Sequence, residues 1–164
     1  MLHKFSKFTK NKVHIMHLFK FQVRSVLEYC STVWHSCLTD SDSKDIERIQ
    51  KAAVKLIMGK NYQGYSDSLI FLKLDSLHER RKKNALKFAK KSVTNMNFSN
   101  FFPRHPGGHA MRTRYPEKYV VNKAHTERYR KSAVPYLQRL LNEDYKEEKK
   151  IITSLLQVNN DVAL

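Results

Sequence analysis

Cys30, His35 and Cys37 are the residues whose types and spacing come nearest to a metal site. Thiolate and imidazole groups are preferred zinc ligands, but this spacing is not that of a zinc finger or knuckle. A fourth ligand would have to come from a distant part of the chain. Cys30 also falls on the apolar face of a predicted helix. We therefore predict no metal site and no cofactor.

A second cluster of potential ligands consists of Asp40, Asp42 and Asp45. It lacks the glycine and the terminal glutamate of a calcium-binding loop. Carboxylates at this position stabilise the positive N-terminal end of a helix, so capping explains the cluster better. No two aspartates are adjacent in the sequence, so a two-metal polymerase site has no obvious ligands. The sequence therefore predicts that the protein is not an enzyme.

The strongest functional signal is positive charge, which amounts to +16 overall. Residues 78–131 contain 15 lysines and arginines against 3 acidic residues, a net charge of +12. Such an excess favours RNA or DNA as the partner, with an anionic membrane surface as the lesser option. Interleaved tyrosines and phenylalanines suit base stacking. The predicted nucleic-acid-binding residues are Arg80, Arg81, Lys82, Lys83, Lys87, Lys90, Lys91, Arg112, Arg114, Arg128, Arg130 and Lys131.

The elements that would position these cations are helices. Apolar residues spaced by three and four predict one long helix from about Lys12 to Trp34, with Tyr29 and Trp34 as core anchors. A second helix follows a cap at Thr39, Ser41 or Asp42 and ends at Gly59, so the two helices form an antiparallel hairpin. The predicted apolar faces are Met16, Phe19, Val23, Val26, Cys30, Val33 and Trp34, and then Ile46, Ile49, Ala53, Leu56 and Ile57.

A third helix, from Leu77 to about Val93, should begin at a capping box formed by Ser76 and Glu79. Few of its residues form the apolar stripe. The lysines and arginines at its other positions predict a strongly positive exposed face. The stripe consists of Leu77, Ala85, Phe88 and Ala89.

The overall prediction is an all-α protein of about five helices. Asn142 should separate the last two of them, and Phe98, Phe101 and Phe102 would pin the irregular segment to the core. No apolar run approaches the length that spans a bilayer, so we expect an intracellular protein, nuclear or cytoplasmic, with no membrane partner. The predicted divisions are a flexible N-terminus at 1–11, a helical region at 12–93, a basic loop at 94–131, C-terminal helices at 132–158 and a flexible tail at 159–164.

Several blocks, taken in order, resemble the region that follows the polymerase core in non-LTR (LINE, jockey-like) retrotransposon reverse transcriptases. The resemblance extends over about residues 12–142. The blocks that carry it are Arg24–Tyr29, Val33–His35, Ile46–Lys51 with Ala53, Leu74–Arg81, Met111–Arg114, Thr126–Tyr129 and Ser132–Pro135.

The resemblance implies a thumb and post-thumb fragment that would lie beside a template–primer duplex. The paired aspartates of the family's palm have no counterpart in this sequence. The resemblance therefore implies a catalytically empty remnant that at most binds nucleic acid non-specifically. The alternative is a helical protein-interaction module, in which Phe19, Val23 and Trp34 of the first helix are exposed and form a homodimer.

Overall fold

The computed structural model describes residues 2–9, 11–105 and 117–162, with side chains as far as residue 156. The regular structure of these residues is helical, which confirms the predicted all-α class. The described chain is divided into more helices than the five or so predicted. Its one β feature is an isolated bridge between Arg104 and Tyr119. The chain forms two compact units, residues 1–84 and 85–164.

The first half of unit 1 is a series of short helices rather than one long one. The stretch predicted to be frayed contains a helix, and the predicted first helix is interrupted twice. The elements are α1 (Leu2–Phe8), α2 (Lys12–Leu18), a π-helical turn (Phe19–Val23), α3 (Arg24–Glu28), α4 (Ser31–Trp34) and a 3₁₀ turn (His35–Cys37).

The two interruptions explain why the predicted apolar face fails after Val23. A π turn adds one residue, which rotates all later side chains by about 100° around the helix. Cys30 then takes a left-handed conformation with φ of 49°, which ends α3 and reorients α4. Val26, Tyr29 and Val33 consequently point to solvent. Cys30 is exposed too. The predictions that Cys30 lies on a buried face and that Tyr29 is a core anchor are therefore wrong.

The second predicted helix is confirmed as α5 (Asp40–Met58). Thr39 and Asp42 form a reciprocal capping box at its start, and Gly59, with φ of 58°, ends it. Lys12 Nζ lies 3.5 Å from the carbonyl oxygen of Met58, so the start of α2 meets the end of α5 as an antiparallel pair requires. The core of unit 1 is formed by Ile15, Met16, Phe19, Ala53 and Ile57.

Two polar residues of α5 hold the segments that follow it. Ile49, predicted to be apolar core, is 43% exposed, and Gln50 is fully buried instead. The Gln50 amide donates to the Tyr65 hydroxyl and to the carbonyl oxygen of Asp75. The Glu47 carboxylate accepts hydrogen bonds from that same hydroxyl and from the backbone N–H of Leu77, at 3.1 Å. These contacts fix α6 (Tyr65–Phe71) and the first residue of α7 (Leu77–Thr94).

The helix α7 begins as predicted, because the Ser76 hydroxyl accepts from the backbone N–H of Glu79. Its residues up to Asn84 belong to unit 1, and those from Ala85 belong to unit 2. Unit 2 continues with a 3₁₀ turn (Ser99–Phe101), α8 (Glu127–Arg130) and α9 (Ala133–Val162). Its core consists of Ala85, Ala89, Phe102, Tyr119, Leu137, Leu140 and Leu141.

Asn142 does not break the last helix, contrary to the sequence prediction. It is buried within α9, which runs without interruption to Val162 and so includes residues 159–162 of the predicted flexible tail. Its side-chain oxygen accepts from the backbone N–H groups of Lys118 and Tyr119, and its amide donates to the carbonyl oxygen of Tyr119. A side-chain amide thus supplies the partners that a neighbouring strand would give an extended backbone.

Gln138, one turn before Asn142, acts in the same way. It accepts from the backbone N–H of Asn122 and donates to the carbonyl oxygen of Phe101. Much of the segment predicted as a loose basic loop is therefore fastened to α9. Phe102 is buried as predicted, whereas Phe98 and Phe101 are about half exposed. Within the described residues, the structure has no helix long and apolar enough to cross a bilayer.

Candidate nucleic-acid interface

The positive face predicted on α7 is not uniformly exposed. Positions 77, 81, 85 and 89 follow one another at intervals of four, which places them on one face of a helix. Leu77, Arg81, Ala85 and Ala89 are all fully buried. Arg81 thus belongs to the buried stripe, and the expectation that its side chain lies on the exposed face of α7 is wrong. Phe88, which was predicted in the stripe, is 43% exposed.

The Arg81 guanidinium is held by three groups of unit 1. Its Nε donates to Nδ1 of His35 at 3.3 Å, and one Nη donates to the Ser43 hydroxyl at 3.4 Å. The guanidinium carbon lies 5.7 Å from the centre of the Trp34 ring, a cation–π distance. The other Nη is buried with no hydrogen-bond acceptor in the described structure. Burial lowers the pKa of Arg81, while nearby Glu47 and Glu28 oppose this effect.

His35 is an acceptor in this cluster, and its electrostatic environment keeps it neutral. Burial, reinforced by the positive charge of Arg81, lowers the pKa of His35 to about 4. Because Nδ1 accepts from Arg81, the ring proton is on Nε2. The ring of His78 meets that of His35 edge to face, with 5.2 Å between centroids. His35 is therefore a structural partner of Arg81.

Three further cations of α7 are engaged in ion pairs. Arg80 Nε lies 2.7 Å from the Glu28 carboxylate, and Lys83 Nζ lies 2.9 Å from Asp75. In unit 2, Lys90 Nζ lies 2.7 Å from Asp144. A second, longer contact joins Lys90 to Glu148, and the hydrogen bond to Asp144 is the main cause of a raised Lys90 pKa. A phosphate would have to compete with these carboxylates for the same cations.

Lys82, Lys87 and Lys91 of α7 are also exposed. Lys87 and Lys91 are four residues apart, so they lie on the same face of α7 within unit 2. Among the residues that the structure describes, the side chains of Lys87 and Lys91 make no ion pair and no hydrogen bond. These two lysines are the best placed of the predicted residues to contact phosphate.

The predicted residues beyond α7 also divide into different environments. Arg128 is exposed at α8 and Lys131 follows it, whereas Arg130 forms a two-bond ion pair with Glu127. This pair lowers the pKa of Glu127 and raises that of Arg130. Arg112 and Arg114 lie outside the described residues. Of the tyrosines expected to stack on bases, Tyr119 is buried in the core of unit 2 and Tyr129 is partly exposed.

Neither cysteine belongs to a cluster of three or more potential metal ligands in the part of the chain that the structure describes. Both Cys30 and Cys37 are exposed, and neither forms a disulfide. The described residues contain no group of three or more histidine, cysteine, aspartate or glutamate side chains that could hold a metal ion.

The N-terminal segment is a second basic region, although its lysines and arginines are less dense than those of residues 78–131. Residues 1–27 contain six lysines and arginines, and the first acidic residue is Glu28. The signal that would have revealed this region is the complete absence of acidic residues, rather than the density of basic ones.

Comparisons with family models, with curated proteins and with solved structures found no match for this chain.

Proposed function

We propose that the protein is a non-catalytic, helical nucleic-acid-binding protein that contacts the phosphate backbone without sequence specificity. The observation that carries the proposal is the charge of residues 78–131, where 15 basic residues face only 3 acidic ones. Neutralising phosphates releases the condensed counterions of the nucleic acid, which drives binding without any contact to the bases.

The structure narrows which cations support this proposal. Arg81 is buried, and Arg80, Lys83, Lys90 and Arg130 already have carboxylate partners. Lys87 and Lys91 on α7 and Arg128 on α8, all in unit 2, are exposed. Affinity should therefore be modest, because few phosphates are neutralised.

We also propose an evolutionary origin for the protein. The sequence blocks described above resemble the post-polymerase region of non-LTR retrotransposon reverse transcriptases, and a domain from that region would lie beside a nucleic-acid duplex. The exposed lysines of α7 support this role, and we propose a remnant that retains backbone binding without polymerase chemistry.

The direct test is titration of a fluorescently labelled duplex and of a labelled single strand with the full chain at low salt. We expect both to bind, with no preference between unrelated sequences. A Lys87→Glu, Lys91→Glu double variant should bind at least several-fold more weakly. The matched control is Lys51→Glu, Lys55→Glu, which reverses two exposed lysines at the same spacing on α5. Equal affinity of the two double variants would contradict the assignment to α7.

A second candidate function, self-association of unit 1, is favoured by the exposure of Val26, Tyr29 and Val33, which are 62% exposed or more. Phe19, which was expected to lie in such an interface, is fully buried and cannot take part. Light scattering over a range of concentrations tests this candidate, and a Val26→Ser, Val33→Ser variant should remain a monomer if the surface is the interface.

A further inference from the structure

A second surface of unit 1 combines exposed apolar side chains in an unusual way. Phe5, Val13, Leu18 and Phe21 line an open groove of about 590 Å³ beside α1 and α2. Phe8, at the end of α1, is 90% exposed, and Phe21 is 73% exposed. We call these five residues the N-terminal apolar surface. Exposed apolar side chains that line one groove mark a binding surface more often than single exposed residues do.

The surface arises from the way in which α1 and α2 pack. Leu2 of α1 contacts the core cluster that contains Ile15, Met16 and Phe19, so the core is satisfied without Phe5 and Phe8. The π turn keeps Phe19 fully buried while Phe21, two residues later, faces solvent. The Phe21 ring lies 6.0 Å from that of His17, also on the groove. Such π turns occur frequently at functional sites.

The segment that carries this surface, residues 1–27, contains basic residues and no acidic ones. Lys4, Lys7 and Lys12 are exposed, Lys20 is partly exposed, and no acidic residue precedes Glu28 in the sequence. Apolar rings next to lysines, with no carboxylate among them, are typical of helices that lie in the headgroup layer of a bilayer. Each basic residue near an anionic bilayer strengthens binding through electrostatic attraction. Each apolar side chain that leaves water for the bilayer strengthens it through the hydrophobic effect.

We propose that the N-terminal apolar surface attaches the protein peripherally to membranes rich in anionic lipid. Phe8 and Phe21 enter the boundary between headgroups and acyl chains, and Lys4 and Lys7 contact the headgroup phosphates. A lipid surface fits better than a single-stranded nucleic acid because Val13 and Leu18, which also line the groove, have no ring on which a base can stack. The binding is independent of the phosphate contacts proposed for unit 2.

The test is flotation of the full chain with two kinds of vesicle, one of phosphatidylcholine alone and one that also contains about 30% phosphatidylserine, an anionic lipid. We expect binding to the anionic vesicles only, and we expect it to weaken as salt is added. A Phe8→Ser, Phe21→Ser variant should lose roughly tenfold or more in affinity, because two rings no longer enter the bilayer. A Lys4→Glu, Lys7→Glu variant should lose roughly tenfold through charge.

The matched control is Ile70→Ser, Phe71→Ser. It removes two side chains on α6 of the same unit that are 77% and 72% exposed, and vesicle binding should not change. Circular dichroism of all variants checks that they fold. We expect them to fold, because the replaced residues are exposed. The proposal is overturned if the intact chain does not float with anionic vesicles, or if the control loses as much as Phe8→Ser, Phe21→Ser. It is also overturned if that variant weakens binding of a short single-stranded oligonucleotide but not of vesicles.

Discussion

Arg81 and His35 form a buried hydrogen bond in which the guanidinium Nε donates to the imidazole Nδ1 at 3.3 Å. The two residues are 46 positions apart in the sequence, and each changes the chemistry expected of the other. Burial, reinforced by the charge of Arg81, lowers the pKa of His35 and keeps the ring neutral, and His35 accepts one of the hydrogen bonds that Arg81 can donate. Arg81, which was expected to bind phosphate, and His35, which was considered as a metal ligand, are thus both part of the interior of unit 1.

The first prediction concerns Arg81. Arg81→Met should leave nucleic-acid affinity unchanged, because the guanidinium is inaccessible to phosphate. Its effect on the free energy of unfolding should be below about 2 kcal/mol, because a buried cation without a direct carboxylate partner stabilises little more than an apolar side chain of similar length. Arg81→Ala should cost about 2–5 kcal/mol through the cavity that it leaves.

Fluorescence anisotropy and urea denaturation measure the two effects of the Arg81 variants. Lys87→Met is the matched control, since it replaces an exposed cation of the same helix by the same side chain. It should weaken nucleic-acid binding and leave stability almost unchanged. Weaker binding by a fully folded Arg81→Met protein would contradict the structural assignment.

The second prediction is a pH dependence that arises from His35. The folded-state pKa is about 4, below the ordinary value of 6.5, so the unfolded chain binds more protons between these two values. The free energy of unfolding should therefore fall as the pH falls through this window and level off below it. A contribution of about 2 kcal/mol is expected, allowing for partial screening by solvent.

Denaturant midpoints between pH 7 and pH 4, compared with those of His35→Asn, isolate this contribution. Asparagine can accept from Arg81 Nε but does not titrate, so the variant should have a flatter pH profile at the upper end of the window. Identical profiles for the two proteins would mean that His35 is not the group responsible.

The third prediction concerns the buried amide of Asn142. Asn142→Leu removes three hydrogen bonds to the backbone of Lys118 and Tyr119 and leaves buried polar groups without partners. We expect unit 2 to lose about 2–4 kcal/mol of stability and the Tyr119 amide to exchange faster with solvent. Hydrogen exchange measured residue by residue checks this. Asn100→Leu, at an exposed position, should have neither effect.

The fourth prediction is the salt dependence of nucleic-acid binding. If Lys87, Lys91 and Arg128 are the cations that neutralise phosphates on duplex DNA, a plot of log K against log salt concentration should have a slope of about −3. If all twelve residues nominated from the sequence made such contacts, the slope would be about −11. Titrations at four salt concentrations distinguish these values, and a slope near the second would refute the interface described for unit 2.

The capping and stop signals of the hairpin show what local sequence could establish. Thr39 and Asp42 begin α5 and Gly59 ends it, as their chemistry predicts. Ser76 likewise begins the next long helix, α7. Such residues bond backbone groups only a few positions away, so local sequence is enough to identify them. The apolar spacing of Ala53 and Ile57 likewise marked a buried face. The predicted apolar face of the first helix does not hold after Val23, and the cause, a π turn, is also local. A π turn, however, leaves no clear periodic signal in the sequence.

The sequence by itself determined the all-helical class, several helix ends and a charge of +16 concentrated in residues 78–131. Only the tertiary structure decided which cations remain exposed. The spacing of four residues places Arg81, but not Lys87, in line with Leu77 and Ala85. Only the structure shows that His35, Ser43 and Trp34 enclose Arg81, while Lys87 faces water. The physical reason is that burial depends on residues tens of positions away. Helical periodicity and charge density describe only a residue's immediate neighbours.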